Sequence, residues 1–284
     1  MSTEIKSESW DWEVDHRTKW WNLDLAELWA YRNLLFRLVR RDFLVSYQQT
    51  ILGPLWVLLQ PIVTLLVYLL VFSKLVGVST GSIPPILFYF SGIILWNFFS
   101  DSFIWVSSTF IHNSQVFSKV YFPRLVVPLS LVAGQFIRML IQLGLLGLMV
   151  LYFKLFRQVP VQINAGLVLL SLFGITGLSL ATGLLFAVLT AKYRDLANIV
   201  SLGVRMLMFV TPVLYPISVI PEQDRWMIYT NPLTPMFEAF RYGLFGEGDF
   251  TAMQLAGSIG GSGILLLAGM LLFNNQKEKL MDVV

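Results

Sequence analysis

Apolar residues gather along the chain in six long stretches, at about 52 to 76, 86 to 110, 125 to 153, 163 to 191, 199 to 220 and 254 to 273. Between Asp42 and Lys74 stand 31 uncharged residues, between Arg157 and Lys192 stand 34, and between Asp249 and Lys277 stand 27. A helix needs about 20 apolar residues to cross the hydrocarbon of a bilayer, so the pattern predicts an all-α membrane protein with six transmembrane helices. The fifth stretch admits Arg205 near its start and is interrupted by Pro212 and Pro216, which predicts either a simple kink or a helix broken where its backbone lines a cavity or packs in protein. A shorter apolar run, Pro232 to Phe245, lies between the fifth and sixth stretches. Runs of about 10–14 residues suit re-entrant or interfacial segments, and a short re-entrant helix is expected over Pro235 to Leu244.

Ahead of the first span, Leu25, Leu28, Trp29, Leu35, Val39 and Phe43 recur at roughly helical spacing, with Arg32, Arg37, Arg40 and Arg41 among the polar positions. This predicts an amphipathic helix lying on the membrane surface, capped at its start by Asp24, with Gly53 and Pro54 marking the turn into the bilayer. The expected organisation is a polar tail over residues 1–23, the amphipathic helix over 24–50, a six-span domain over 51–273 and a C-terminal tail over 274–284. Residues 1–21 lack the basic start, apolar run and small-residue cleavage site of a signal peptide, so the first span is expected to act as its own insertion signal.

Composition agrees with the pattern. Of 284 residues 56% are hydrophobic and only 13% charged, with a mean hydropathy of +0.69, against about 25% charged in soluble domains. A soluble globular enzyme is excluded. The chain has no cysteine, which removes thiol catalysis, disulfides and Cys-based metal sites together. The net charge of +3 is spread beside the spans and points to orientation in the membrane; no nucleic-acid partner is expected. Six crossings put both termini on one side, where 13 Lys and Arg gather against five on the other. Positive charge stays inside, so both termini are expected in the cytoplasm.

A charge in hydrocarbon costs about 2.5–3.5 kcal/mol on insertion scales and calls for a reason. Asp101 in the second span and Arg138 in the third lie about 14 and 20 Å deep at 1.5 Å per residue, close enough to predict an intramembrane ion pair, with a structural and a functional role both open. Arg205 enters at about 9 Å, within reach of the headgroups for its long side chain. His16 and His112 have no second ligand at metal spacing, and no metal site is expected. No Gly-Lys dipeptide occurs, so a phosphate-cradling G-x-x-x-x-G-K-[ST] loop is absent from the sequence. The chain is expected to bind no cofactor; any ATP and Mg belong to another subunit. Small residues four apart, Gly257 and Gly261, Ala256 and Gly260, Ser179 and Gly183, predict close helix contacts.

Several motifs together resemble the ABC-type polysaccharide export permeases. They are the stretch from Trp29 to Asp42, Tyr47-Gln-Gln-Thr-Ile-Leu-Gly-Pro through Pro61, Phe117-Ser-Lys-Val-Tyr-Phe-Pro-Arg124 with Pro128, Tyr193-Arg-Asp195, Thr211-Pro-Val-Leu-Tyr-Pro216 and Asn231-Pro-Leu-Thr-Pro235. They follow the family's order from about residue 25 to 245. The resemblance implies the transport subunit, not an enzyme, of an ATP-driven exporter in the bacterial inner (plasma) membrane. Two copies of the chain would form the path for a polyprenyl-diphosphate-linked polysaccharide such as O antigen, capsule or teichoic acid. Two separate ATP-binding subunits would drive it.

By that resemblance, the amphipathic helix is an interface helix, and the segment from His112 to Arg124 docks on the ATPase, with Phe117, Ser118, Lys119, Val120 and Tyr121 as its coupling residues. The first and fifth spans line the path, which makes Trp56, Gln60, Tyr68, Phe209 and Tyr215 the lining residues. Arg40, Arg41 and Arg205 are placed to meet the substrate's anionic headgroup. Two rivals remain on sequence grounds: the permease of a drug or small-lipid exporter of the same architecture, and a membrane enzyme acting on polyprenyl-linked sugars. The enzyme reading needs converging acids, bases or a metal, and Asp101 is the only carboxylate in its span.

Overall fold

A computed structural model of the chain describes residues 25–113, 117, 122–159 and 162–276. Among them every regular element is helical. Helices are one of the two ways a chain can satisfy its backbone polar groups in lipid, where water is absent. Five helical segments are long and apolar enough to cross a membrane: Gly53–Leu75, Pro85–Ser107, Val126–Phe156, Ala165–Lys192 and Ala252–Asn275.

The leading segment forms two helices, α1 (Leu25–Ala30) and α2 (Arg32–Tyr47), broken at Tyr31. Leu38 and Val39 are buried, while Trp29 and Phe36 stand about 70% exposed. Of the expected apolar stripe, then, Val39 turns inward and Trp29 does not. Asp24, the expected cap, lies outside the described residues. The first span opens with a 3-10 turn at Gly53–Leu55, continues as α3 (Trp56–Tyr68) and ends in a π-helical stretch, Leu69–Leu75. Gly77, at φ +76°, then turns the chain out, a conformation that glycine adopts without a Cβ penalty.

The second span, α4 (Pro85–Ser107), is the central helix: 83% of its apolar window is buried inside the protein, against 17% for the first span. A helix that is apolar all round belongs in such a position. It ends at Ser108, and a separate short turn, α5 (Thr109–His112), takes up the last residues of the expected span. The third span, α6 (Val126–Phe156), has 31 residues and is therefore about 46 Å long. That exceeds a hydrocarbon core of about 30 Å, so part of α6 projects beyond it. The fourth is α7 (Ala165–Lys192), whose start is capped by the Asn164 side chain accepting the Leu167 N–H.

The expected fifth span, 199 to 220, is shorter than read. Helix α8 (Leu196–Val210) stops at Thr211, because Pro212 follows and proline restricts the residue before it to extended backbone; Thr211 has ψ 140°. A turn helix, α9 (Arg225–Tyr229), leads to α10 (Leu233–Phe245), and the last span is α11 (Ala252–Gln276). The Oη of Tyr68 stands 3.7 Å from the Met208 sulfur, so α8 ends at the level where α3 ends. Gly269 of α11 lies against Ala181 and Leu184, and Ile259 lies against Gly174. Helices α7 and α11 therefore run in the same direction, and the segment between them carries the chain back to the level where α7 began. Consistent with that path, the Asn164 N–H donates to the Gly243 carbonyl at 2.7 Å, bringing the end of α10 to the start of α7.

The small-residue pairs separate into two groups. A Cβ on Gly183 would stand 2.6 Å from Val106 Cβ, so this glycine lets α7 close on α4. Gly257, Gly260, Gly261 and Gly263 have nothing within 4 Å of that position. Gly183→Ala should therefore overpack the α4–α7 contact and destabilise the fold by about 1–3 kcal/mol, whereas Gly257→Ala, with open space at its Cβ, should hold or raise the thermal midpoint of the purified chain. Equal midpoints for the two variants would contradict the assignment.

Candidate functional site

Polar side chains from four helices converge beside the first span. Trp56 and Gln60 of α3, Asn97, Asp101 and Trp105 of α4, and Gln135 and Arg138 of α6 line a cleft of about 380 Å³, which Ser46 and Tyr47 close from the end of α2. Arg138 donates to Ser46 Oγ at 3.0 Å and to Gln135 Oε1 at 3.4 Å, and its guanidinium lies 5.7 Å from the centre of the Tyr47 ring. The Gln142 amide donates to the Val57 carbonyl at 3.1 Å, tying α6 to α3. Asp101 and Arg138 face this one cleft without a direct ion pair, since the hydrogen bonds of Arg138 go to Ser46 and Gln135. An adjoining cavity of about 600 Å³ shares Ser46, Trp105, Gln135 and Arg138 and continues along α2 past Arg41 and His112.

Of the other residues expected to line a path, Phe209 is 60% exposed on α8. Tyr68 is half-buried, with its ring against Phe72 and Tyr89. Tyr215 is also half-buried and turns back to donate its hydroxyl to the Phe209 carbonyl at 2.6 Å. Arg40 and Arg205 are exposed, and Arg41 pairs with its neighbour Asp42 at 2.7 Å.

Ser118, Lys119, Val120 and Tyr121 lie outside the described residues. Phe117 is described, and it is buried. Its ring stacks on Phe122 at 5.8 Å and meets Phe110 at 5.4 Å; Phe110 in turn stacks on Phe273 of the last span at 5.0 Å. Phe117 thus packs inward against α5 and, through Phe110, meets α11 instead of presenting itself outward.

The sequence reading missed a second polar centre, on α10. This helix is buried almost throughout its length. Arg241 is 1% exposed and donates to Glu238 Oε1 at 3.0 Å. The guanidinium stands 3.8 Å from the centre of the Phe88 ring and approaches the Val213 carbonyl at 3.5 Å. Glu238 Oε2 accepts the Asp249 N–H at 3.0 Å. Gly92 makes room, since a Cβ there would stand 2.9 Å from the guanidinium. The start of α10 is fixed by Asn231, whose amide donates to Thr211 Oγ1 at 2.9 Å while its carbonyl oxygen accepts the Leu233 N–H at 3.0 Å. Two motifs distant in sequence, Thr211-Pro and Asn231-Pro, therefore meet in one hydrogen-bonded knot. Nearby, burial and then the hydrogen bond to Asp249 push the Tyr229 phenol up to about 12. The signal available in the sequence was the Glu-x-x-Arg spacing, which puts Glu238 and Arg241 on one helical face within an apolar run where a charge needs a partner.

Among the described residues no three His, Cys, Asp or Glu side chains gather as metal ligands. Five apolar crossing helices with polar groups turned into an internal cleft define a multi-pass membrane protein of transporter type. The match of residues 33–245 to the ABC-2 type transporter model carries this further, and the chain belongs to that family of membrane permeases. It is similar to an O-antigen export system permease protein of Klebsiella pneumoniae, 27% identical over 252 residues, covering 89% of this chain and 95% of the relative. It is also similar to the protein of that name in Myxococcus xanthus, 28% identical over 262 residues, covering 92% and 98%. An inner membrane transport permease of Escherichia coli K12 is 25% identical over 206 residues, covering 69% of this chain and 78% of its own.

Removing one partner of a buried ion pair costs about 3–5 kcal/mol, because the other charge is left without compensation. Arg241→Met should lower the thermal midpoint of the purified chain sharply, and the double variant Arg241→Met, Glu238→Leu should recover much of the loss. A double variant no more stable than the single one would show that the pair does not act as a unit.

Proposed function

We infer that this chain is the membrane permease of an ATP-driven exporter of lipid-linked polysaccharide, of the O-antigen kind. The observation that carries this reading is near end-to-end similarity to permeases named for O-antigen export, over 89–92% of this chain and 95–98% of theirs. Six crossings follow from taking α8 and the extended residues after it as the fifth passage, a view supported by the shared direction of α7 and α11. The excess of Lys and Arg beside the ends of the second and fourth spans then puts both termini, α1 and α2 in the cytoplasm. Helix α10 becomes a re-entrant helix at the outer side.

Two copies of the chain form the path. The first span and α8 leave Leu66, Leu70, Leu202 and Phe209 more than half exposed, and the polar Gln60 and Arg205 sit on these same helices. Such a mixture suits a protein-enclosed passage better than a lipid-facing surface, where polar side chains are expensive. Two ATP-binding subunits, which carry ATP and Mg, supply the force. Their closure pushes the segment around residues 117–121, and the ring stack from Phe117 through Phe110 to Phe273 passes the displacement to α4, α5 and α11. Arg40, Arg41 and Arg205 meet the diphosphate at the cytoplasmic surface, and the glycan passes along Trp56, Gln60 and Phe209.

Deleting the chain from its bacterium should abolish surface polysaccharide and leave lipid-linked polymer inside the cell. In the restored strain, Tyr121→Ala should cut export at least tenfold while the complex stays assembled and continues to hydrolyse ATP. Undiminished surface polysaccharide in the deletion strain contradicts the substrate assignment. Normal export by an assembled Tyr121→Ala complex contradicts the coupling role.

A further inference from the structure

The cleft between α2, α3, α4 and α6 has a donor and acceptor set that the fold does not use. Gln142 and two nitrogens of Arg138 are committed to protein partners. The side chains of Gln60, Asn97 and Asp101 line the same space and make no hydrogen bond to any described residue, and the buried Nε of Arg138 has no partner either. Polar side chains within a spanning helix are costly, so four such groups turned to one cavity indicate a ligand that returns the hydrogen bonds.

The chemistry of the lining narrows that ligand. Amide, carboxylate and guanidinium groups are planar and offer both donors and acceptors, which matches the hydroxyls of a sugar ring. Trp56 and Trp105 flank the polar groups, each with an apolar face for a ring to lie on and a polar edge. One cation, Arg138, stands with one anion, Asp101. A bare diphosphate would meet repulsion from Asp101 and a bare cation repulsion from Arg138, whereas a neutral polyol uses both. The volume, about 380 Å³, lies within the range of about 300–1,000 Å³ typical of small-ligand sites. The cavity continuing along α2 to Arg41 leaves a route for the rest of a longer molecule.

We propose that this cleft within a single protomer is a saccharide subsite that holds a sugar residue of the lipid-linked chain next to its diphosphate, with Gln60, Asn97 and Asp101 receiving its hydroxyls. The proposal rests on the polysaccharide-export reading and adds where, and by which groups, the sugar is recognised. Because Ser46 and Tyr47 at the end of α2 close the cleft and Arg138 bonds to Ser46, an occupied cleft also joins the interface helix to the third span.

The test uses the assembled complex in lipid nanodiscs and two probes, farnesyl diphosphate bearing one N-acetylhexosamine and farnesyl diphosphate without sugar. Wild type should bind the sugar-bearing probe more tightly. The double variant Gln60→Leu, Asn97→Leu removes groups that no protein partner uses, so it should keep the wild-type thermal midpoint and lose about tenfold in affinity for that probe alone. Asp101→Asn, which retains a planar hydrogen-bonding group, should lose less than Asp101→Leu. Equal affinity of wild type and double variant for the sugar-bearing probe overturns the subsite. So does equal affinity of wild type for the two probes, which would assign recognition to the phosphates. Either result leaves export itself to be judged by the deletion strain.

Discussion

Hydrocarbon offers no hydrogen bonds, and the whole structure follows from that constraint. Backbone groups must be satisfied within the chain, hence the helices; irregular backbone is tolerated only where protein covers it. The proline-interrupted stretch from Thr211 to Asn231 meets this condition. Its side chains and carbonyls are gathered by Asn231, Thr211 and Arg241 and packed against the central helix α4 through Phe88 and Gly92. Without that cover a break after Val210 would expose unpaired carbonyls to lipid.

The same constraint sorts the polar side chains into two kinds. Glu238 and Arg241 neutralise each other inside the protein, with the Arg241 Nε left without a hydrogen bond, and their role is to fix a short helix between α4, α7 and α11. Around Arg138 the compensation is partial, with some groups bonded across helices and others turned to an open cleft. A centre whose two charges pair with each other holds structure together, whereas the one around Arg138 stays partly open to a cleft between α2 and the first span. The two sit in opposite halves of α4, Gly92 in the first and Asp101 in the second, so the central helix links them.

Much of this could be read from the sequence because hydrocarbon thickness imposes a length that apolar runs report directly. The spans expected at 52 to 76, 125 to 153, 163 to 191 and 254 to 273 differ from the observed helices by three residues or fewer at either end. The fifth could not be read so simply. Apolar composition continues past Thr211, but Pro212 ends the helix, and composition does not reveal a change of direction. Helix α10 was recognisable as too short to cross, though burial on every side depends on tertiary neighbours that a local pattern does not name. Phe117 belonged to a motif read as a docking surface, and only its ring contacts show that it faces inward. Asp101 and Arg138 stand out in the sequence by their cost in lipid. That their cleft also draws in Ser46 from α2 is a matter of how α2 folds back on α6, which spacing along the chain cannot encode.

On the proposed function, this permease provides the passage while a separate protein provides the energy. The direct measurement is reconstitution in liposomes of the chain alone and of the chain with its ATP-binding subunit, loading lipid-linked polysaccharide in the outer leaflet, where the ATP-binding subunits face out, and following its disappearance from reach of an added glycosidase. ATP-dependent protection of the glycan is expected with both subunits present, and none with the permease alone. Protection at the same rate without the partner or without ATP would contradict it.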